Sequence, residues 1–181
     1  SEFEVIRTQA IVAVQSGEFS DAKRTRMRAV LRTLVRFDAA YAAAQEGNLT
    51  SSLESATATR EAVSTLDSSG GAVYGSLAGV ALDRFFESLG ERFEERARSD
   101  GVSTPARIDD LQRAGQAYRE SGASERFAEI SVEAEQLQSA WVRDRQEINE
   151  SMTTTQQFIG RCGDTCGDPV SAITAHTAGV F

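Results

Sequence analysis

Apolar residues along this chain recur at helical rather than strand spacing. The clearest case is residues 71–98, GAVYGSLAGVALDRFFESLGERFEERAR. Leu82, Phe85, Phe86, Leu89 and Phe93 fall at i, i+3, i+4, i+7 and i+11, the spacing of one buried helix face. Asp83, Glu87, Glu91 and Glu94 lie away from that stripe and read as solvated. The first half of the stretch is small and apolar, with Gly71, Gly75 and Gly79 on one face. Each helical glycine costs roughly 1 kcal/mol against alanine. Close approach of a neighbouring helix to these glycines would offset that cost. The same spacing pairs helices in membranes, but the apolar run 72–82 covers only about half of the ~20 residues a span needs. Asp83 and Arg84 then close it.

The flanking stretches carry the same period. Residues 3–15 predict a first helix that stops at Ser16-Gly17. Ser20 then caps a second, which runs to about Glu46 and stops at Gly47, with Met27, Val30, Leu31, Leu34 and Tyr41 on its apolar face. Ser51 and Glu54 form an S-x-x-E capping box for a third helix ending at Leu66, and Asp67-Ser-Ser-Gly-Gly71 reads as a breaker. The central helix follows, with its end near Gly101. Thr104-Pro105 starts a fifth helix that ends at Ser121-Gly122. Ser124 caps the longest helix, to about Ile159, with Phe127, Ile130, Ala134, Leu137, Trp141 and Ile148 in a heptad seam. A loop at 160–167 leads to a short final helix, Pro169–Ala178.

The fold class expected is therefore all-α. About six helices pack as antiparallel hairpins around the Gly-rich and Phe-rich helix 71–98, with residues 1–159 as the bundle and 160–181 as its cysteine-containing loop and tail. Residues 13–22 and 43–52 echo each other as helix end, glycine turn and new helix. That echo makes a degenerate α-solenoid the alternative arrangement.

Composition adds a charge profile. The 181 residues carry a net charge of −8, and 18 of the 19 basic residues are arginine, Lys23 being the exception. An acidic chain of this kind lacks the basic footprint of nucleic-acid binding. Four arginines, Arg24, Arg28, Arg32 and Arg36, recur every fourth residue on the second helix. Such a row can grip an anion or an acidic partner, or it pairs with Glu125, Glu129 and Glu133 or with Glu91, Glu94 and Glu95 of the same chain.

Two features point outside the cytoplasm. The only asparagines, Asn48 and Asn149, both stand in N-x-S/T sequons, which chance produces at roughly the few-per-cent level. The only cysteines, Cys162 and Cys166, lie close together, and in an exported protein they form a disulfide. With His176 the pair could instead hold a soft metal, though it lacks a fourth ligand. The chain begins at Ser1-Glu2-Phe3 without methionine, which fits either a processed chain or a fragment, and flanking sequence could attach it to a membrane.

Other chemistry is sparse. A single histidine rules against His-dependent triads and His-rich metal sites. There is no P-loop and no G-x-G-x-x-G after a strand, so no cofactor and no enzymatic activity are expected. Asp109-Asp110 reads as a solvated pair and Trp141 as core. The reading is a non-enzymatic extracytoplasmic helical domain, secreted or at the cell surface, that binds a protein partner or small ligand or senses one. Two alternatives stand beside it: a metal-handling or redox accessory protein using Cys162, Cys166 and His176, and an intracellular helical-hairpin scaffold. The pattern assigns no oligomeric state.

Overall fold

The computed structural model describes residues 20–68 and 72–162, together with Thr8, Ile11, Val12 and Gln15, which are helical and exposed. Five helices follow in order: α1 (Asp21–Gln45), α2 (Leu49–Ser68), α3 (Ala72–Ala97), α4 (Thr104–Ser121) and α5 (Ser124–Cys162). No strand occurs among the described residues. The all-helical class holds among the described residues, five helices being bounded there and Thr8, Ile11, Val12 and Gln15 adding helical positions in the stretch 3–15 where the first helix is expected. Their lengths of 25, 20, 26, 18 and 39 residues give no fixed repeat of the solenoid kind. The final helix expected at 169–178 lies outside the described residues.

Local chemistry explains the boundaries. The Ser20 hydroxyl accepts the Lys23 N–H at 3.4 Å at the start of α1. Gly47, with φ +78°, turns the chain after α1, a conformation that favours glycine. The cap of α2 is Asn48, whose Oδ1 accepts the Ser51 N–H at 3.2 Å. This replaces the expected Ser51/Glu54 box, because α2 begins three residues earlier than the S-x-x-E pattern suggests. α2 also runs through Asp67 to Ser68, past the expected stop. α4 opens on Ser103 with proline in its first turn and closes on Gly122 at φ +81°.

α1 and α2 form an antiparallel hairpin with a seam of small residues. Ala40, Ala44, Ser52, Ala56 and Thr59 are all buried. Short side chains let the two backbones approach, and the Ser52 hydroxyl donates to the Ala40 carbonyl at 2.7 Å. α2 packs next on α3, and α3 on α4. Leu82, Phe86, Leu89 and Phe93 of α3 are buried, each such side chain contributing about 1.5–3 kcal/mol of transfer free energy. The start of α5 closes this core through Ile130 and Ala134, with Ile130 and Phe127 against Gly115 of α4.

The close approach assigned to Gly71, Gly75 and Gly79 occurs elsewhere. A Cβ at Gly79 would meet nothing within 4 Å. The surroundings of Gly71 and Gly75 lie outside the described residues. The tight position is Gly90, where a Cβ would stand 2.8 Å from Cε1 and Cζ of Tyr118. One turn further along α3 is Glu94, which is buried rather than solvated. The Tyr118 hydroxyl donates to Glu94 at 2.6 Å. Arg126 donates to both Glu94 oxygens at 2.7 and 3.0 Å, and Arg98 donates to Glu94 as well. Asp110 is also buried, gripped by Arg96 through two parallel hydrogen bonds, one of 2.9 Å from Nε. Both carboxylates were expected on the solvated surface. They are buried because arginines from the core's edge pair with them, the condition under which a buried charge is tolerated.

The chain divides into two units, Ser1–Ala134 and Glu135–Phe181. In the second unit the helix is largely exposed. Trp141 is half-buried, with the Arg145 guanidinium 5.0 Å from its ring centre. Ile148 and Met152 are exposed, so the expected heptad seam is not buried here. The hydroxyls of Thr153, Thr154 and Thr155 bond back to the carbonyls of Asn149, Glu150 and Ser151.

Gly90→Ala tests the close approach. Alanine gains roughly 1 kcal/mol of helix propensity, but overpacking against a ring tied to Glu94 costs about 1–3 kcal/mol. A net loss near 1 kcal/mol, seen as a lower urea midpoint, is the expected outcome, whereas Gly79→Ala should stabilise. A second outcome concerns pH. Burial first, and the hydrogen bond to Glu94 next, push Tyr118 from 10.0 up to about 12. Between those values the unfolded chain has lost this proton and the folded one keeps it. Stability therefore falls from pH 10 to 12, by an amount of order 2 kcal/mol. Tyr118→Phe should remove that segment of the pH–stability curve.

Candidate functional site

α1 and α3 each pack on α2, and a groove runs between them. Val30, Thr33, Leu34 and Phe37 of α1 form one wall. Leu77, Ala78, Ala81 and Leu82 of α3 form the other, with Thr59 of α2 at the base. The volume is ≈ 300 Å³, at the small end of ligand pockets. Its α1 wall follows the i, i+3, i+4, i+7 spacing, so these four residues share one face of that helix. Phe37 meets Phe85 edge-on at 5.4 Å between ring centres, and Tyr41 lies 6.3 Å from Phe85. This aromatic cluster packs the two helices together beside the groove. Leu77 on the rim is 68% exposed and Val80 beside it 55%.

The groove holds little reactive chemistry. The Thr33 hydroxyl donates to the Ala29 carbonyl at 3.1 Å, and that of Thr59 to the Ser55 carbonyl at 2.7 Å. Both hydroxyls are thus spent within their own helices, and the remaining lining is apolar. What the surface can do is remove apolar area from water, at about 25 cal/mol per Å². A second cleft of ≈ 340 Å³, between α2 and α4, is lined by Leu53, Glu54, Thr57, Ala58, Glu61, Arg113 and Gln116. Its arginine is already tied to Asp109 at 2.9 Å, and its mixed lining offers no comparable apolar face.

The residues singled out in the sequence do not converge on this groove. Arg24 pairs with Asp21 at 2.8 Å, and Arg36 donates to the Ala58 carbonyl at 3.0 Å. Arg28 and Arg32 are exposed. The expected counter-charges are engaged elsewhere: Glu94 and Glu133 with Arg98, and Glu94 and Glu129 with Arg126. Asn48 is exposed at the α1–α2 turn, and Asn149 is exposed within α5. Cys162 is the last residue of α5, while Cys166 and His176 lie outside the described residues. No group of three His, Cys, Asp or Glu placed to hold a metal occurs among the described residues, nor does a helix long and apolar enough to cross a membrane. The groove itself was half-legible. Val30 and Leu34 stand on a predicted apolar face, but nothing in their spacing says that this face lines a groove with α3.

The chain matches no protein-family model, no curated protein and no solved structure.

Rim and floor of the groove should respond differently to truncation. Leu77→Ser changes an exposed side chain, and the expected shift in unfolding free energy is within about 0.5 kcal/mol. Leu82→Ala removes a buried one, and about 2–5 kcal/mol should be lost. Chemical denaturation of the two variants measures the contrast, and a large loss at Leu77 would show that its side chain is buried in solution.

Proposed function

We propose that this chain is a non-enzymatic helical binding domain acting outside the cytoplasm, and that the groove between α1 and α3 takes an apolar ligand group. The groove is the observation that carries this reading. Its walls are apolar, Leu77 on its rim is left in water, and its two hydroxyls are committed to backbone carbonyls. Clustered exposed apolar side chains commonly mark a binding surface. The sequons at Asn48 and Asn149 and the pair Cys162/Cys166 support the extracytoplasmic part of the proposal.

Anilinonaphthalene sulfonate, an apolar fluorescent dye, serves as the probe. The native protein should bind it saturably at one site. Ala81→Phe places a ring in the groove, and Leu77→Asp sets a charge on its rim. Each should weaken binding at least ~10-fold, equivalent to about 1.4 kcal/mol, with the melting temperature unchanged. Dye binding that is not saturable, or that neither variant weakens, would sink the groove as the binding site.

A further inference from the structure

We infer that Asn48 is an N-glycan acceptor and that Asn149, the other sequon asparagine, is not. This inference rests on the extracytoplasmic reading above. Both side chains are exposed, so exposure does not separate them. Backbone setting does.

Asn48 ends the Glu46-Gly47-Asn48 turn, outside the helical backbone of α2. Its Oδ1 accepts the Ser51 N–H at 3.2 Å. An N–H needs an acceptor opposite it, so this bond identifies which carboxamide atom is oxygen. Nδ2 then occupies the other arm of the planar group, away from the helix end, and no hydrogen bond holds it among the described residues. N-glycan transfer uses that nitrogen. A bond forms between Nδ2 and the anomeric carbon of a sugar activated on a lipid-linked phosphate. The bond from that carbon to the phosphate oxygen breaks, the phosphate leaves with the electron pair, and Nδ2 gives up one proton. The product is a secondary amide whose oxygen keeps its lone pairs. The α2 cap therefore survives the modification.

Asn149 sits in the interior of α5. Residues two apart on a helix lie about 200° around the axis from each other, so its carboxamide and the Ser151 hydroxyl point to different sides. The segment is also held in helical form. The Asn149 carbonyl accepts from the Thr153 hydroxyl at 2.8 Å, and the Ser151 carbonyl accepts from the Thr155 hydroxyl at 2.9 Å. A turn bringing the two side chains of this sequon together would have to break α5.

The test is peptide mass mapping of the protein purified from its own host, paired with external protease treatment of intact host cells. Three variants accompany the native chain. Thr50→Val removes the sequon hydroxyl at constant shape, Asn48→Asp removes the acceptor nitrogen but keeps a good helix cap, and Ser151→Ala removes the second sequon. The expected result is glycan mass on the Asn48 peptide alone, lost in Thr50→Val and Asn48→Asp and kept in Ser151→Ala. Protein that external protease cleaves but whose Asn48 is bare would overturn this inference and leave the extracytoplasmic reading standing. Protein that is protected from protease and bare would overturn both. Equal glycan occupancy at Asn149 would overturn the discrimination drawn from the helix.

Discussion

The contact between Gly90 and Tyr118 sets the packing of the first unit. A side chain of any size at position 90 would hold the tyrosine ring away from α3. With glycine there, the ring lies against the helix backbone and its hydroxyl reaches Glu94 one turn along. Glu94 can be buried only because this hydroxyl, Arg98 and Arg126 satisfy it. Arg126 belongs to α5, so the same carboxylate ties α3, α4 and the first turns of α5 into one core. Removing the charge while keeping these partners would leave guanidinium groups that still reach solvent. Removing the partners would leave a buried anion, which is the costlier error.

The other half of the unit is built on a different principle. α1 and α2 meet through alanine, serine and threonine at Ala40, Ala44, Ser52, Ala56 and Thr59. Short side chains there permit close backbone approach, and the hydroxyl bond from Ser52 to Ala40 crosses the seam. This seam also leaves the large apolar residues of α1 on another face. Among the described residues no helix lies over Val30, Leu34 and Phe37, which form a wall of the groove. The groove is thus a consequence of how α1 spends its small residues on α2.

Charge is distributed by the same logic. The acidic excess of the chain is not simply a solvated coat. Glu94 and Asp110 are drawn into the core and clamped by Arg98, Arg126 and Arg96. Arginine suits this work, since its planar group forms two parallel bonds to a carboxylate and stays charged when partly buried. Arg60 shows the same versatility. It reaches Asp83 at 2.6 Å and the Glu120 carbonyl at 2.7 Å while lying 5.1 Å from the centre of the Phe86 ring.

The sequence alone determined the helical class and most of the helix ends. Periodicity and capping are local, and Ser20, Gly47, Ser103-Thr104-Pro105 and Gly122 act within one turn of where they stand. It also determined the buried stripe of α3, since Leu82, Phe86, Leu89 and Phe93 must face one neighbour whatever that neighbour is. Tertiary structure decided which glycine is approached, which carboxylates are buried and which apolar face stays open. Each of those depends on a residue far along the chain: Tyr118 for Gly90, Arg126 for Glu94, and Leu77 and Leu82 across the groove from Val30 and Leu34. Spacing within one helix carries no information about them, because a charged or apolar position acquires its role only from the surface set against it.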